Sequence, residues 1–107
     1  MPLNYVSAQA ANVTNTTVVY NPTTAGVQAT MIGCLVANKT ASTITVLVTL
    51  TNATSTVTTQ LAPSVFIPPN NAFDVLSSAK IVVPQNYSVS VTSSGSADVT
   101  ISAGESS

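Results

Sequence analysis

Thr43-Ile44-Thr45-Val46-Leu47-Val48-Thr49-Leu50-Thr51 reads as one β-strand. Ile44, Val46, Val48 and Leu50 fall on one side, and Thr43, Thr45, Thr49 and Thr51 on the other, with Leu47 as the departure. Successive side chains of a strand point to opposite faces, so this alternation marks a strand with one face in a core. The branched Cβ of Thr, Val and Ile suits a pleated surface better than a helix.

The same period recurs along the chain. Tyr87, Val89 and Val91 oppose Ser88, Ser90 and Thr92; Ala97, Val99 and Ile101 oppose Asp98, Thr100 and Ser102. Ser93-Ser94-Gly95-Ser96 between them predicts a hairpin turn. Residues 15–20 form a β-branched run closed by Asn21-Pro22. Residues 27–38 are apolar on both faces, which predicts a central strand, with Gly33 marking a bulge or a close crossing. Residues 56–61 end at Pro63, residues 64–67 stop at Pro68-Pro69-Asn70-Asn71, and a short strand over 73–76 follows. Ser77-Ser78-Ala79 has room for one helical turn at most, and residues 80–83 close at Pro84. Roughly seven to nine short strands, with turn signals every ~8–12 residues, predict an all-β, antiparallel β-sandwich of jelly-roll or immunoglobulin-like type. No helical period alternates with the strands, so a parallel α/β sheet is not expected.

At 107 residues the chain has the length of one domain. Residues 1–12 are patterned more loosely: Asn, Gln, Ala and Ser surround isolated Leu3, Tyr5 and Val6. They form an N-terminal arm or edge segment ahead of a single β-sandwich domain over 13–107. A frayed or edge-strand terminus is one reading. The other is an arm that adds to the sheet edge of a neighbouring subunit, with Leu3, Tyr5 and Val6 as assembly contacts.

Charge is the most unusual property. Lys39, Lys80, Asp74, Asp98 and Glu105 make up the whole inventory, 5% of residues, where about a quarter is ordinary. Polarity comes instead from 17 Thr and 14 Ser, with 16 Val supplying much of the apolar content. A hydrophobic share of 45% spread along the chain excludes a disordered Ser/Thr-rich stalk. Two lysines cannot neutralise a track of phosphates or hold an anionic membrane, so neither nucleic acid nor membrane is an expected partner. The start, Met1-Pro2-Leu3-Asn4-Tyr5, has no basic or apolar signal region; the expectation is either a chain that stays in the cytoplasm where it is made, which Met1 favours, or one whose signal was removed ahead of this numbering.

The material for catalysis is thin. Histidine is absent, so the abundant hydroxyls lack their usual base. Cys34 lies in an apolar run and reads as a buried small hydrophobe, and as the lone cysteine it cannot form an internal disulfide. Asp74 and Asp98 read as strand-end or turn carboxylates, too few for a calcium site. Tyr87 and Phe73 sit in strand patterns and are expected in the core. Asn-x-Ser/Thr triplets at Asn12, Asn15, Asn38, Asn52 and Asn86 arise readily in such a composition. No enzyme activity, cofactor, metal or small-molecule substrate is expected.

Met31-Ile32-Gly33-Cys34-Leu35-Val36-Ala37-Asn38, followed by Thr-rich strands, resembles short accessory virion proteins of tailed bacteriophages. So do Ala79-Lys80-Ile81-Val82-Val83 leading to Tyr87-Ser88-Val89-Ser90-Val91, and the closing Ser96-Ala97-Asp98-Val99-Thr100-Ile101. Relatives often carry an acidic residue and glycine after the Lys80-type strand, where this chain has Pro84-Gln85-Asn86. The resemblance covers residues 13–103. It implies a β-sandwich bound to particles in many copies, first as a capsid decoration or cement protein, otherwise as a neck or tail component. The implied partners are further copies of itself, the major capsid protein or other virion proteins, and the implied location is the virion, assembled in the host bacterial cytoplasm. A nearly uncharged surface suits an exported pilin-like or adhesin module equally well; exposed aromatics would be needed for a carbohydrate-binding module.

Overall fold

The computed structural model describes residues 3–22, 26–52, 57–76 and 80–106, with the side chains of 3, 62–64 and 106 outside the description. The Ser77-Ser78-Ala79 turn lies outside the described residues. Among the described residues there are nine strands: β1 (Leu3–Val13), β2 (Thr17–Tyr20), β3 (Gln28–Asn38), β4 (Ile44–Thr51), β5 (Thr58–Ile67), β6 (Ala72–Asp74), β7 (Ile81–Val83), β8 (Ser88–Ser93) and β9 (Ala97–Ser106).

They form two antiparallel sheets. The first runs β1-β9-β3-β6, with β7 also on β3, and the second runs β2-β8-β4-β5. β6 pairs with β3 at Leu35, Val36 and Ala37, and β7 pairs at Ala29, Thr30 and Met31. The two are halves of one edge strand, interrupted where Val75 and Leu76 turn into the core. Counting them as one gives eight strands in jelly-roll order, which separates this sandwich from the immunoglobulin type. Within the second sheet β4 and β5 form a hairpin, closed by a hydrogen bond from Asn52 N to Val57 O at 2.9 Å.

The inner faces are the alternating residues. Ile44, Val46 and Val48 of β4 meet Met31, Cys34 and Val36 of β3, Val89 and Val91 of β8, and Val99, Ile101 and Ala103 of β9 in one core. Gly33 marks a bulge: the β3–β9 register shifts between Met31 and Gly33, so Met31 and Cys34 both point inward. Space above Gly33 is ordinary, with Asp74 Oδ2 3.8 Å from where a Cβ would sit, so the bulge and not a close crossing explains it.

Three expectations are corrected. Ser93-Ser94-Gly95-Ser96 is not a hairpin turn, because β8 and β9 belong to different sheets. The chain crosses between sheets there, held by hydrogen bonds from Ser94 N to Thr45 O (3.0 Å) and from Thr45 N to Ser94 Oγ (2.9 Å). Two alternating strands joined by a short polar link fit a crossover as well as a hairpin, since both strands bury one face either way. Pro63 does not split a strand. β5 runs through it as an edge strand, and the register with β4 shifts on the way from Val46↔Val65 to Val48↔Ala62, the setting in which a sheet tolerates a residue without an N–H. Phe73 is exposed rather than in the core, because β6 is a three-residue edge strand.

Asn38, at the end of β3, is buried and saturated. Its Nδ2 donates to Ser42 O (2.8 Å), Ile67 O (2.9 Å) and Pro68 O (3.0 Å). Its Oδ1 accepts from Thr40 N and Thr40 Oγ1, both at 2.8 Å. Replacing it with Ala leaves the buried Ile67 carbonyl unpaired, along with part-buried groups at Ser42, Pro68 and Thr40, at about 1–3 kcal/mol for a fully buried orphan and less for the others. We expect Asn38→Ala to lower unfolding stability by about 3 kcal/mol, read from a urea transition. At Gly95 an added Cβ would stand 2.7 Å from Ile44 Cγ2, on a side chain whose χ1 cannot easily yield. Gly95→Ala should cost about 1–3 kcal/mol in the same assay.

Candidate assembly surface

The charged groups are dispersed and mostly engaged. Lys39 Nζ lies 3.3 Å from Asp98 Oδ1 and donates to Asn12 Oδ1 at 2.5 Å. Asn12 stands at φ 57, a left-handed conformation that Asn accepts more readily than other side-chain-bearing residues. It occupies the register shift between Ala10 and Val13 of β1. Its backbone N–H donates to Asp98 Oδ1 at 3.0 Å. That bond, reinforced by the Lys39 hydrogen bond and charge, holds the Asp98 carboxyl below its ordinary range, with burial opposing. The group pins the bulged end of β1 to β9 and to the β3–β4 link.

Asp74 Oδ1 accepts from Leu76 N (3.1 Å) and Cys34 N (3.4 Å), shaping the break between β6 and β7. Asp74 and Asp98 share the outer face of the first sheet, opposite Leu35 and Ala37 of β3. Two strand spacings and two residues separate them, on the order of 12 Å between Cα atoms, and both carboxylates already hold backbone donors. Glu105 accepts a short hydrogen bond from the buried Tyr20 hydroxyl. Burial first, then this bond and the Glu105 charge, raise the Tyr20 pKa far above the ordinary phenol value. Among the described residues no three His, Cys, Asp or Glu side chains come together. The described surface dents are shallow; one is lined by Gly33, Leu35, Asp74, Thr100 and Ser102.

Cys34 is fully buried. Burial, with the Asp74 charge as a smaller cause, pushes its thiol up to about 12.

What the fold does present is an uncovered sheet face. On the outside of the first sheet the register aligns Tyr5 with Gly104, Thr30 and Val82. The next rows bring Ser7 beside Ser102 and Gly33, and Gln9 beside Thr100 and Leu35. Tyr5 is 74% exposed, Val82 50%, Leu35 47% and Ile32 40%. The face is therefore mostly hydroxyls and glycines studded with apolar side chains, with Asp74 beside Leu35 and Asp98 beside Ala37 toward one end. Of residues 1–12, set apart in the sequence as an arm or edge segment, the described ones, 3–12, lie in β1, which pairs with β9. Of the contact residues named there, Tyr5 projects outward, Val6 packs against the core, and the Leu3 backbone pairs with Ser106. Ile32, Leu35 and Val82 were missed. For Ile32 and Leu35 the signal was the apolar second face of residues 27–38, which reads as a strand covered on both sides; for Val82 it was the unbroken apolar run Ile81-Val82-Val83.

No family model matches the chain, and no curated protein is similar to it. Among solved structures the chain is similar to one from Bacillus endospore appendages, described as a novel family of disulfide-linked pili. The TM-score is 0.54 with 8% identity, over 97% of this chain and 84% of that one. Likeness at that identity is likeness of fold.

The titrating groups make a pH prediction. Cys34 and Tyr20 have raised pKa values when folded, so their contribution is complete below the ordinary thiol value of 9.0 and is lost as pH rises beyond it. Asp98 is lowered, so its contribution is present above the usual carboxylate range and disappears on acidification through the folded value. Urea midpoints should fall at both extremes. Cys34→Ala and Tyr20→Phe should each flatten the alkaline limb, and Asp98→Asn the acid limb. In the native protein Cys34 should resist thiol reagents until the chain is unfolded.

Proposed function

We propose that the chain is a non-enzymatic structural subunit that works in many copies, laid side by side in a pilus-like array. The observation carrying this reading is the uncovered outer face of the first sheet, whose carboxylates, Asp74 and Asp98, lie away from the Tyr5 row and are engaged by backbone N–H groups. A soluble monomer ordinarily guards such faces and edges with charge. Neutral hydroxyls and scattered apolar side chains can be buried against a neighbour without stripping water from ions. The likeness of fold to a pilus chain, over nearly the whole length, supports the fibre form of the array. Disulfide linkage, named for those pili, has no counterpart in this chain's own sequence, since its lone cysteine is in the core. Contacts between copies are then non-covalent. In this reading the chain is exported, and its partner is itself.

A second reading keeps the protein on a phage particle, as a decoration, neck or tail subunit against the major capsid protein. It is favoured by the strand-and-turn resemblance over residues 13–103 and by a jelly-roll order, which viral capsid domains also use.

Negative-stain electron microscopy of the concentrated, purified chain, paired with sedimentation across a dilution series, tests the proposal. Fibres or ordered sheets of the protein alone are expected. Saturable binding to purified phage heads without self-assembly would move the assignment to the second reading. A monomer at every concentration that binds neither itself nor particles would remove both.

A further inference from the structure

The sandwich has four sheet edges, and they are not alike. β2 is four residues long, with a register shift between Val18 and Tyr20. β5 contains Pro63 and is broken by two register shifts. β6 and β7 are three residues each and offer no continuous ladder. Short strands, bulges and proline are the usual devices that stop an edge from recruiting another strand. β1 has none of them over most of its length. It spans eleven residues, carries no charge and no proline, and stays in unbroken register with β9 from Leu3↔Ser106 to Ala10↔Val99. Its bulge is confined to the far end, at Asn12. Among the described residues no strand pairs with its other side.

We infer that the outer edge of β1 is a docking edge for the β1 of a second copy, joined antiparallel across a two-fold axis centred near Ser7. The inference rests on the self-association just proposed and names one of its contacts. The occupant follows from the edges themselves. A copy of this chain offers three blunted edges and one open one, so the edge that fits β1 is β1, and a two-fold makes the contact self-complementary. Centring on Ser7 sets Tyr5 opposite Gln9 of the other copy on the outer face, and Val6 opposite Ala8 on the inner one. Val6, Ala8 and Ala10, half-buried at the open flank, then gain cover. The two outer faces merge into one continuous surface. No like charges oppose each other, because the strand has none. The sequence left two readings, an edge-strand terminus or an arm in a neighbour's sheet; here the segment is an edge strand on β9, and its free side makes the contact.

Ser7 and Gln9 are exposed and on the outer face, so they can be changed without touching the core. The double variants Ser7→Lys/Gln9→Lys and Ser7→Glu/Gln9→Glu place like charges across the two-fold. Each is expected to weaken dimerisation, measured by sedimentation, by about tenfold or more. Mixing the two should restore a heterodimer. Ser7→Cys should form an intermolecular disulfide on mild oxidation, since facing strands bring Cα atoms to about 5 Å. Gln60→Cys on the β5 edge should not. Lysine and glutamate variants that associate like the parent chain, or equal crosslinking at residues 7 and 60, would overturn the contact. If the lysine variant still builds arrays on the grid, the array stands and the β1 contact falls. A charge-sensitive dimer without arrays keeps the contact and discards the array.

Discussion

Two chain crossings between the sheets meet at the carboxamide of Asn38, and the jelly-roll order depends on both. At the end of β3 the chain leaves the first sheet for β4, and at the end of β5 it returns from the second sheet to β6. Asn38 holds the outgoing link through Thr40 and Ser42 and the returning one through the carbonyls of Ile67 and Pro68. Its own N–H donates to Asn71 O at 2.8 Å. A side chain with two N–H hydrogens and one carbonyl oxygen thus serves five partners, inside a region where an unpaired polar group is costly. Pro68-Pro69-Asn70-Asn71 complements it from the other side: the prolines cannot continue a ladder, and Asn70 takes φ 57 to reverse the chain. An Asn-x-Thr triplet that looks like a glycan acceptor is in fact the polar pin of the fold.

With crossings fixed, the core needs little more than alternation. Valine, isoleucine and alanine from both sheets interleave. This simplicity has a consequence at the perimeter. Two flat layers of this size cover one face of each sheet, leaving two faces and four edges for the environment. The chain treats three edges defensively and leaves the fourth open, and that asymmetry is hard to attribute to folding. β1 would pair with β9 equally well if it carried a lysine or a bulge at its centre.

Much of this was legible in the chain itself. Alternation found the strands, the apolar run marked Cys34 as buried, and Gly33 marked an irregularity, a bulge or a close crossing, because each depends on local period and nearest neighbours. The failures are non-local. Whether Ser93-Ser94-Gly95-Ser96 turns within a sheet or crosses between two cannot be decided from strands that bury one face either way. Pro63 looked like a terminator because its tolerance depends on β5 being an edge. Phe73 looked like core because its strand pattern does not show that β6 is only three residues long. The outer row of Ile32, Leu35 and Val82 was hidden for a related reason: an apolar second face predicts a cover without saying whether the same chain provides it.

The few charges present sharpen the contrast between interior economy and exterior neutrality. Lys39 and Asp98 are turned on each other and on Asn12, Glu105 is bound to Tyr20, and Asp74 is drawn to the backbone of Cys34 and Leu76. Each fastens a strand end or a chain break, and none stands in the row of Tyr5, Gly104, Thr30 and Val82 or along the free side of β1. A chain with five charges could have set them where they would repel its own copies. It spends four of them on tying down its strands instead, so the Tyr5 row and the free side of β1 are left without charge.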